Sequence, residues 1–202
     1  MKKSVLFVLF VLVVCMFCLV SCSNKTADID EVIETYCDFM EKEDMQEWHF
    51  ALAYIDEDDI PELVVAGDIP NAFTDSIYTY ADGTVTNLGD VGTHGGFKFA
   101  PRQNSVMWSK GSPGLFYAEF LSIKGGKLEK IKCFTDNSED IGNTTTSYVI
   151  DNEEVPKEEY YAEFEKMTNE HTYVSIGYYN EFTIKDCLEE LEENWQNFLI
   201  EE

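Results

Sequence analysis

The sequence predicts an α+β protein, built as a twisted antiparallel β-meander with an N-terminal helix and C-terminal helices packed on one face of the sheet. Turn signals recur about every 20 residues through the middle of the chain, as in hairpins that follow one another in a meander. Helical periodicity is confined to the two ends, so strands and helices do not alternate as in a doubly wound parallel sheet. Hydrophobic residues make up 45% of the chain, which is enough apolar material for a folded core.

The first 22 residues have the three parts of a secretory signal: two lysines, an apolar run over residues 5–20, and a small residue before a cysteine. The apolar run is short for a membrane-spanning helix, which needs roughly 20 residues. The end of the run, LVSC, resembles the lipobox of bacterial lipoproteins, in which the chain is cleaved before the cysteine and lipid is attached to its sulfur. This resemblance implies that Cys22 is the lipidated residue.

The predicted organisation is therefore a lipoprotein signal peptide at residues 1–21, the lipidated cysteine and a tether at residues 22–27, and a single α+β domain at residues 28–202. We expect the protein at the cell membrane, held on the extracytoplasmic face by its lipid anchor. An uncleaved N-terminal anchor and an ordinary secreted protein are the alternatives.

Residues 28–46 are predicted to form the first helix. Asp28 can cap this helix together with Glu31. Apolar residues then recur at helical spacing, at Ile29, Val32, Ile33, Tyr36, Phe39 and Met40. From residue 50 the periodicity changes to two short apolar runs, FALAYI and ELVVAG, which predict two strands joined by an acidic turn.

Hairpin turns follow in order along the chain, each between two strand-like runs: Asp82-Gly83, Gln103-Asn104 and Gly125-Gly126. Residues 148–150 predict another strand after a polar stretch, and Pro156 precedes a short charged helix at residues 157–167. Residues 173–178 predict a last strand. The final helix begins after Thr183 and has an apolar stripe at Ile184, Leu188, Leu191, Trp195, Phe198 and Leu199.

The charge of the chain excludes one class of partner and favours another. The chain has 14 Lys and Arg residues against 39 Asp and Glu, a formal net charge of −25. Nucleic acid is excluded, because each phosphate contact needs a cation. Cleavage removes two lysines and no acid, so the exported part has 12 basic and 39 acidic residues and carries −27. That charge attracts a cationic protein partner, whereas the tyrosine pairs at residues 160–161 and 178–179 suit carbohydrate stacking.

The acidic turn is the candidate metal site. Asp56 and Asp58 are at alternate positions, Glu62 follows, and the backbone carbonyl of Ile60 lies between them. Alternating acids around a tight turn direct oxygens into one concavity, which is what calcium needs with its six to eight oxygen ligands. The alternative is an acidic turn that only joins two paired strands.

The same segment resembles the DxDxDGxxEL loops of bacterial extracellular proteins, including FG-GAP-type calcium loops, and a set of uncharacterised Firmicutes surface lipoproteins with the frame YALYDIDGDGIPELII. The resemblance implies that Asp56, Asp58, Ile60 and Glu62 are the second, third, carbonyl and last ligands. Tyr54 stands where the first Asp is expected, and Asp59 replaces a glycine at a position that often needs a positive φ.

The remaining chemistry-bearing residues show no local pattern. His49, His94 and His171 are too far apart in sequence to form a local metal-ligand pair, although His94 precedes two glycines that would let a ligand approach closely. In the exported part, Cys37, Cys133 and Cys187 lack zinc spacing and are interpreted as buried free thiols.

Nucleophile motifs such as GxSxG and phosphate-binding glycine loops are absent from the sequence. The sequence therefore predicts a non-catalytic, lipid-anchored binding or interaction module of unknown ligand, with calcium as its candidate cofactor. A structural subunit of a surface complex is one alternative. An extracytoplasmic hydrolase that uses a pair of carboxylates is another.

Overall fold

A computed structural model gives the fold and describes residues 27–45, 48–66, 74–92, 96–137, 146–175 and 184–200, with side chains from residue 188 in the last range. The predicted signal peptide, Cys22 and the tether to residue 26 lie outside the described residues. So do His94 and the tyrosine pair at residues 178–179.

Helices occur at both ends of the described chain: α1 at Ile29–Lys42, α2 at Lys157–Asn169 and α3 at Ile184–Asn194. Most strands lie in the middle of the chain, and one short strand covers the last two described residues. The strands are β1 His49–Ala53, β2 Glu62–Ala66, β3 Asp75–Ala81, β4 Thr84–Val91, β5 Gly96–Ala100, β6 Ser105–Ser112, β7 Leu115–Lys124, β8 Lys127–Asn137, β9 Ser147–Ile150, β10 Glu153–Val155, β11 Val174–Ser175 and β12 Leu199–Ile200.

The strands form two sheets, with the order β12-β1-β2-β3-β4 in the first sheet and β10-β9-β8-β7-β6-β5-β11 in the second. Among the described strands, every neighbouring pair is antiparallel except β1 and β12, which are parallel. The predicted α+β class with antiparallel sheet is confirmed, and the three predicted hairpin turns each join neighbouring strands.

The helices and the two sheets stack in four layers, and alternate side chains along a strand face different layers. On β1, Phe50 and Leu52 face a core shared with α1 and α3, whereas Ala51 and Ala53 face a core shared with the second sheet. The far face of the second sheet packs on α2, around Phe120 and other buried residues. The order is thus helices, sheet, sheet and helix.

This layering differs from the single sheet with one helical face that the sequence predicted. The physical reason is visible in β2, where all five residues, Glu62–Ala66, are buried. A strand that is apolar on both faces must be covered on both faces, and the second sheet supplies that cover. The helices consequently lie on the two outer faces.

Helix α1 forms where capping and periodicity predict it. Asp28 accepts a hydrogen bond from the Asp30 N–H at 3.2 Å, which caps the helix. The Glu31 carboxylate accepts from the Tyr80 hydroxyl at 2.9 Å, so it joins the helix to β3. The buried face includes Ile33 and Met40, and burial of each such side chain contributes roughly 1.5–3 kcal/mol.

A close backbone approach marks the passage from the first sheet to the second. Gly92 follows β4 directly, and a Cβ on it would lie 1.7 Å from Cε2 of the Trp108 indole. Trp108 is buried between the sheets. Only glycine lets the chain pass over the indole here.

The end of the chain departs from the predicted helical stripe. Helix α3 ends at residue 194, a 3₁₀ turn covers Trp195–Phe198, and Leu199 lies in β12 rather than in a helix. Leu199 pairs with Leu52, and Ile200 pairs with Ala53. The strand satisfies the free backbone groups at the edge of β1, which a helix there could not do. Among the described residues, no helix combines the length and the apolar content needed to cross a bilayer.

Candidate metal centre

The loop between β1 and β2 is shaped by its own aspartates. Asp56 Oδ1 accepts a hydrogen bond from the Asp58 N–H at 3.0 Å, and Asp58 Oδ1 accepts from the Ile60 N–H at 2.8 Å. Two successive turns of this kind form because a short carboxylate side chain can bond the backbone two residues on. They curl the chain around one point.

Three carboxylates converge at that point. Asp56, Asp58 and Glu62 each offer an oxygen, and the three oxygens lie within 4.8 Å of one another. Oxygens that share a calcium ion at 2.3–2.6 Å can be separated by at most about 5 Å. The spacing therefore fits a single hard cation.

Glu62 is the most unusual of the three residues. It is the first residue of β2 and is fully buried. Its Oε2 accepts a hydrogen bond from the Ile55 N–H at 2.8 Å, whereas its Oε1 is buried and has no hydrogen-bond partner. A buried carboxylate oxygen without a partner is costly, so this position calls for a positive charge or a proton.

The electrostatics of the loop agree with that geometry. Burial raises the pKa of the Glu62 carboxyl well above its ordinary value, and the negative charges of Asp56 and Asp58 raise it further. Burial also raises the pKa of Asp58, against the hydrogen bond from the Ile60 N–H, and Asp56 adds to the rise. The three carboxylates thus repel one another, and a bound cation would relieve the repulsion.

The turn between β5 and β6 supports the loop from outside. Arg102 Nη1 donates to the Asp58 carbonyl oxygen at 2.9 Å and to Asp59 Oδ1 at 3.0 Å. The Arg102 Cζ lies 4.0 Å from the centroid of the Tyr54 ring. On the inner side, the Tyr36 hydroxyl donates to the Pro61 carbonyl oxygen at 2.9 Å, and burial raises the pKa of Tyr36 well above its ordinary value.

The structure brings together three of the four predicted ligands. Ile60 lies between Asp58 and Glu62 in the loop. Its N–H donates to Asp58 Oδ1, and its side chain packs against the core that α1 shares with the first sheet. Asp59 does not have a positive φ, so the replacement of glycine causes no backbone strain. Sequence reasoning missed Arg102 and Tyr36, although Arg102 is the single arginine of the chain.

The other sequence candidates lie elsewhere. Nδ1 of His171 is 2.9 Å from Oε1 of Gln103, far along the chain from the other histidines. Cys37 and Cys133 are buried free thiols, as predicted, and the side chain of Cys187 lies outside the described residues. Tyr160 is buried on α2, whereas Tyr161 is 44% exposed.

A cavity of about 760 Å³ lies between α2 and the β9–β10 hairpin and bears on the hydrolase alternative. Its acidic lining residues include Glu163, which pairs with Lys132 and Lys166. The Lys132 ammonium lowers the pKa of Glu163, which keeps this carboxyl ionised and unsuited to donate a proton. Glu62, the buried carboxyl with the raised pKa, does not line this cavity.

The chain matches no protein-family model, no curated protein and no solved structure.

Proposed function

We propose that the protein binds a calcium ion at Asp56, Asp58 and Glu62, with the Ile60 carbonyl as a further ligand, and acts as a non-catalytic, lipid-anchored binding module on the extracytoplasmic face of the membrane. The observation that carries the cation site is the fully buried Glu62 carboxylate. Its Oε1 has no hydrogen-bond partner, and the carboxylates of Asp56 and Asp58 lie close to it.

The donor set supports calcium among the common metals. All the candidate ligands are oxygens, and three of them are carboxylates, which suit hard cations rather than zinc or copper. Calcium tolerates irregular geometry and can share ligands with backbone carbonyls, whereas magnesium requires a nearly ideal octahedron. A loop made of two aspartate turns and a buried strand residue favours the larger ion.

The position of Glu62 also supports a binding role over hydrolysis. A general acid must touch its substrate, and the Glu62 side chain has no exposed surface. The net charge of −27 on the exported part supports a cationic protein as partner. The exposed ring of Tyr161 supports stacking against a carbohydrate as the alternative.

The cation site is tested by thermal unfolding of the purified protein in chelator, in calcium and in magnesium. We expect calcium to raise the melting temperature and magnesium to raise it less. The combined substitution of Asp56→Ala and Asp58→Ala should abolish the calcium response.

Glu57→Gln is the matched control, because Glu57 is exposed in the same loop and belongs to no ligand set. It removes one charge and should retain the response. A wild-type melting temperature that is the same in chelator and in calcium would refute the cation site.

The membrane anchor is tested separately by Cys22→Ala. We expect this variant to leave the membrane fraction, because lipid attached to the Cys22 sulfur is the proposed link to the bilayer. Retention of the variant in the membrane fraction would refute the lipid anchor without affecting the cation site.

A further inference from the structure

The β5–β6 turn contacts the acidic loop at more points than chain connectivity requires. The Arg102 N–H donates to the Tyr54 carbonyl oxygen at 2.8 Å, and the Asn104 N–H donates to the Ile55 carbonyl oxygen at 2.8 Å. The Asn104 side chain also bonds both backbone groups of Ile123 on β7. A turn of the second sheet is thus bound to the cation loop of the first.

Backbone conformation at this turn is unusual. Arg102 has a φ of 56° and Asn104 a φ of 50°, in the left-handed region that favours glycine. A long side chain in that region costs conformational free energy, and such positions concentrate where the conformation serves a site. At Arg102, the conformation places the guanidinium group over the loop.

The guanidinium group holds the loop from two sides. One face stacks on the Tyr54 ring, and Nη1 bonds both the Asp58 carbonyl oxygen and the Asp59 carboxylate. Tyr54 and Asp59 are the two positions where the loop departs from the acidic-loop pattern. The Asp59 carboxylate pairs with Arg102 and is not among the three carboxylates whose oxygens converge.

We propose that Arg102 is the positioning residue of the cation site, and that it fixes the loop in the conformation in which the three carboxylates converge. This inference rests on the proposed calcium site. Arg102 contacts none of the three carboxylates in the described structure, so it acts through the backbone of Asp58 and through Asp59.

The test is calcium titration of the full chain in detergent by calorimetry. Arg102→Lys keeps the charge but loses the planar fork and the stacking, and Arg102→Met loses the charge as well. We expect the calcium dissociation constant to rise about tenfold in both variants, because both lose the planar group that stacks on Tyr54 and directs Nη1 to the Asp58 carbonyl oxygen. An Arg102 that acted only through its charge would leave the Lys variant unchanged and tighten binding in the Met variant, and that outcome would overturn the inference.

Lys130→Met is the matched control. Lys130 is an exposed cation on β8 that pairs with Glu119, and its loss should leave calcium affinity unchanged. Near-UV circular dichroism of each variant in chelator establishes that the fold is retained. If Arg102→Met fails to fold, the Lys variant alone decides the question.

Tyr54→Leu adds a second readout, since it removes the stacking surface without changing charge. Combined with Arg102→Lys, it should weaken binding by about tenfold and not by about a hundredfold, because both changes break one contact. Full additivity would overturn the inference. If the wild-type chain binds no calcium, the proposed function fails and this inference fails with it; if the wild type binds and Arg102→Lys binds equally well, only this inference fails.

Discussion

Glu62→Gln isolates the charge of the buried carboxylate from its shape. The glutamine carbonyl can still accept the hydrogen bond that the Ile55 N–H donates to Glu62. The substitution removes a buried negative charge, whose burial raises the pKa of the Glu62 carboxyl. In chelator we therefore expect the free energy of unfolding of the variant to lie within about 1 kcal/mol of the wild-type value or above it.

Calcium should separate the two proteins. If the site has an affinity typical of extracellular modules, with a dissociation constant of about 10⁻⁴ M, then 10 mM calcium is about a hundredfold excess and stabilises the wild type by about 2.7 kcal/mol. For a domain of this size, 1 kcal/mol shifts the melting temperature by about 2–4 °C. The wild type should therefore rise by about 5–11 °C and the glutamine variant should rise little.

Differential scanning calorimetry of the wild type and of Glu62→Gln, each in chelator and in calcium, measures both the stability without the ion and the response to calcium. Glu57→Gln is again the control, since it removes a charge from the same loop at an exposed position. A glutamine variant that keeps the full calcium response would refute the role of Glu62 as a ligand. A loss of more than about 3 kcal/mol in chelator would refute the reasoning about burial, because the charge would then be stabilising without an ion.

Three further predictions concern the rest of the fold. Gly92→Ala should lower the free energy of unfolding by about 3 kcal/mol or more, because its Cβ would overlap the indole beneath it. Gly83 has a positive φ of 80° but open space around its Cα, so Gly83→Ala should cost about 1 kcal/mol, and equal losses in urea unfolding would contradict this. Burial raises the pKa of the Cys37 thiol to about 12, so mass spectrometry should show alkylation at least about a hundredfold slower in the folded protein than in urea. The hydrogen bond to Asp136 raises the pKa of Tyr161 to about 12, so the contribution of Tyr161 to stability is complete below pH 10 and lost as the pH rises through 12. Tyr161→Phe should accordingly lose about 1 kcal/mol at pH 8 and less at pH 12, and an equal loss at both would refute the assignment.

Elements with a strong local pattern were predictable. Helix α1 has a cap and a complete apolar stripe, and its predicted and observed limits agree to within a few residues. The turn at Asp82-Gly83 has positive φ at both residues, which is the conformation that this dipeptide favours. Weaker elements were missed, such as β10 and β12, which have three and two residues and exist only because a partner strand is present.

The candidate site divides in the same way. Asp56 and Asp58 are close in sequence and bond the backbone two residues on, so their turn is a local property that the spacing of the acids predicts. The full burial of Glu62 is not local, since it depends on the packing of both faces of β2, where Leu63 lies in the core shared with α1 and Val64 in the core between the sheets. The loop sequence alone is compatible with a solvated carboxylate there.

Local pattern was therefore sufficient for the α+β class, the order of the main strands, the three hairpin turns and the acidic loop. Packing alone decided the division into two sheets, the placement of helices on both outer faces, the unpartnered oxygen of Glu62 and the approach of Arg102 from 43 residues beyond Asp59. The physical reason is that capping, periodicity and turn preference act over a few residues along the chain, whereas desolvation and charge pairing depend on which distant surfaces come together in space.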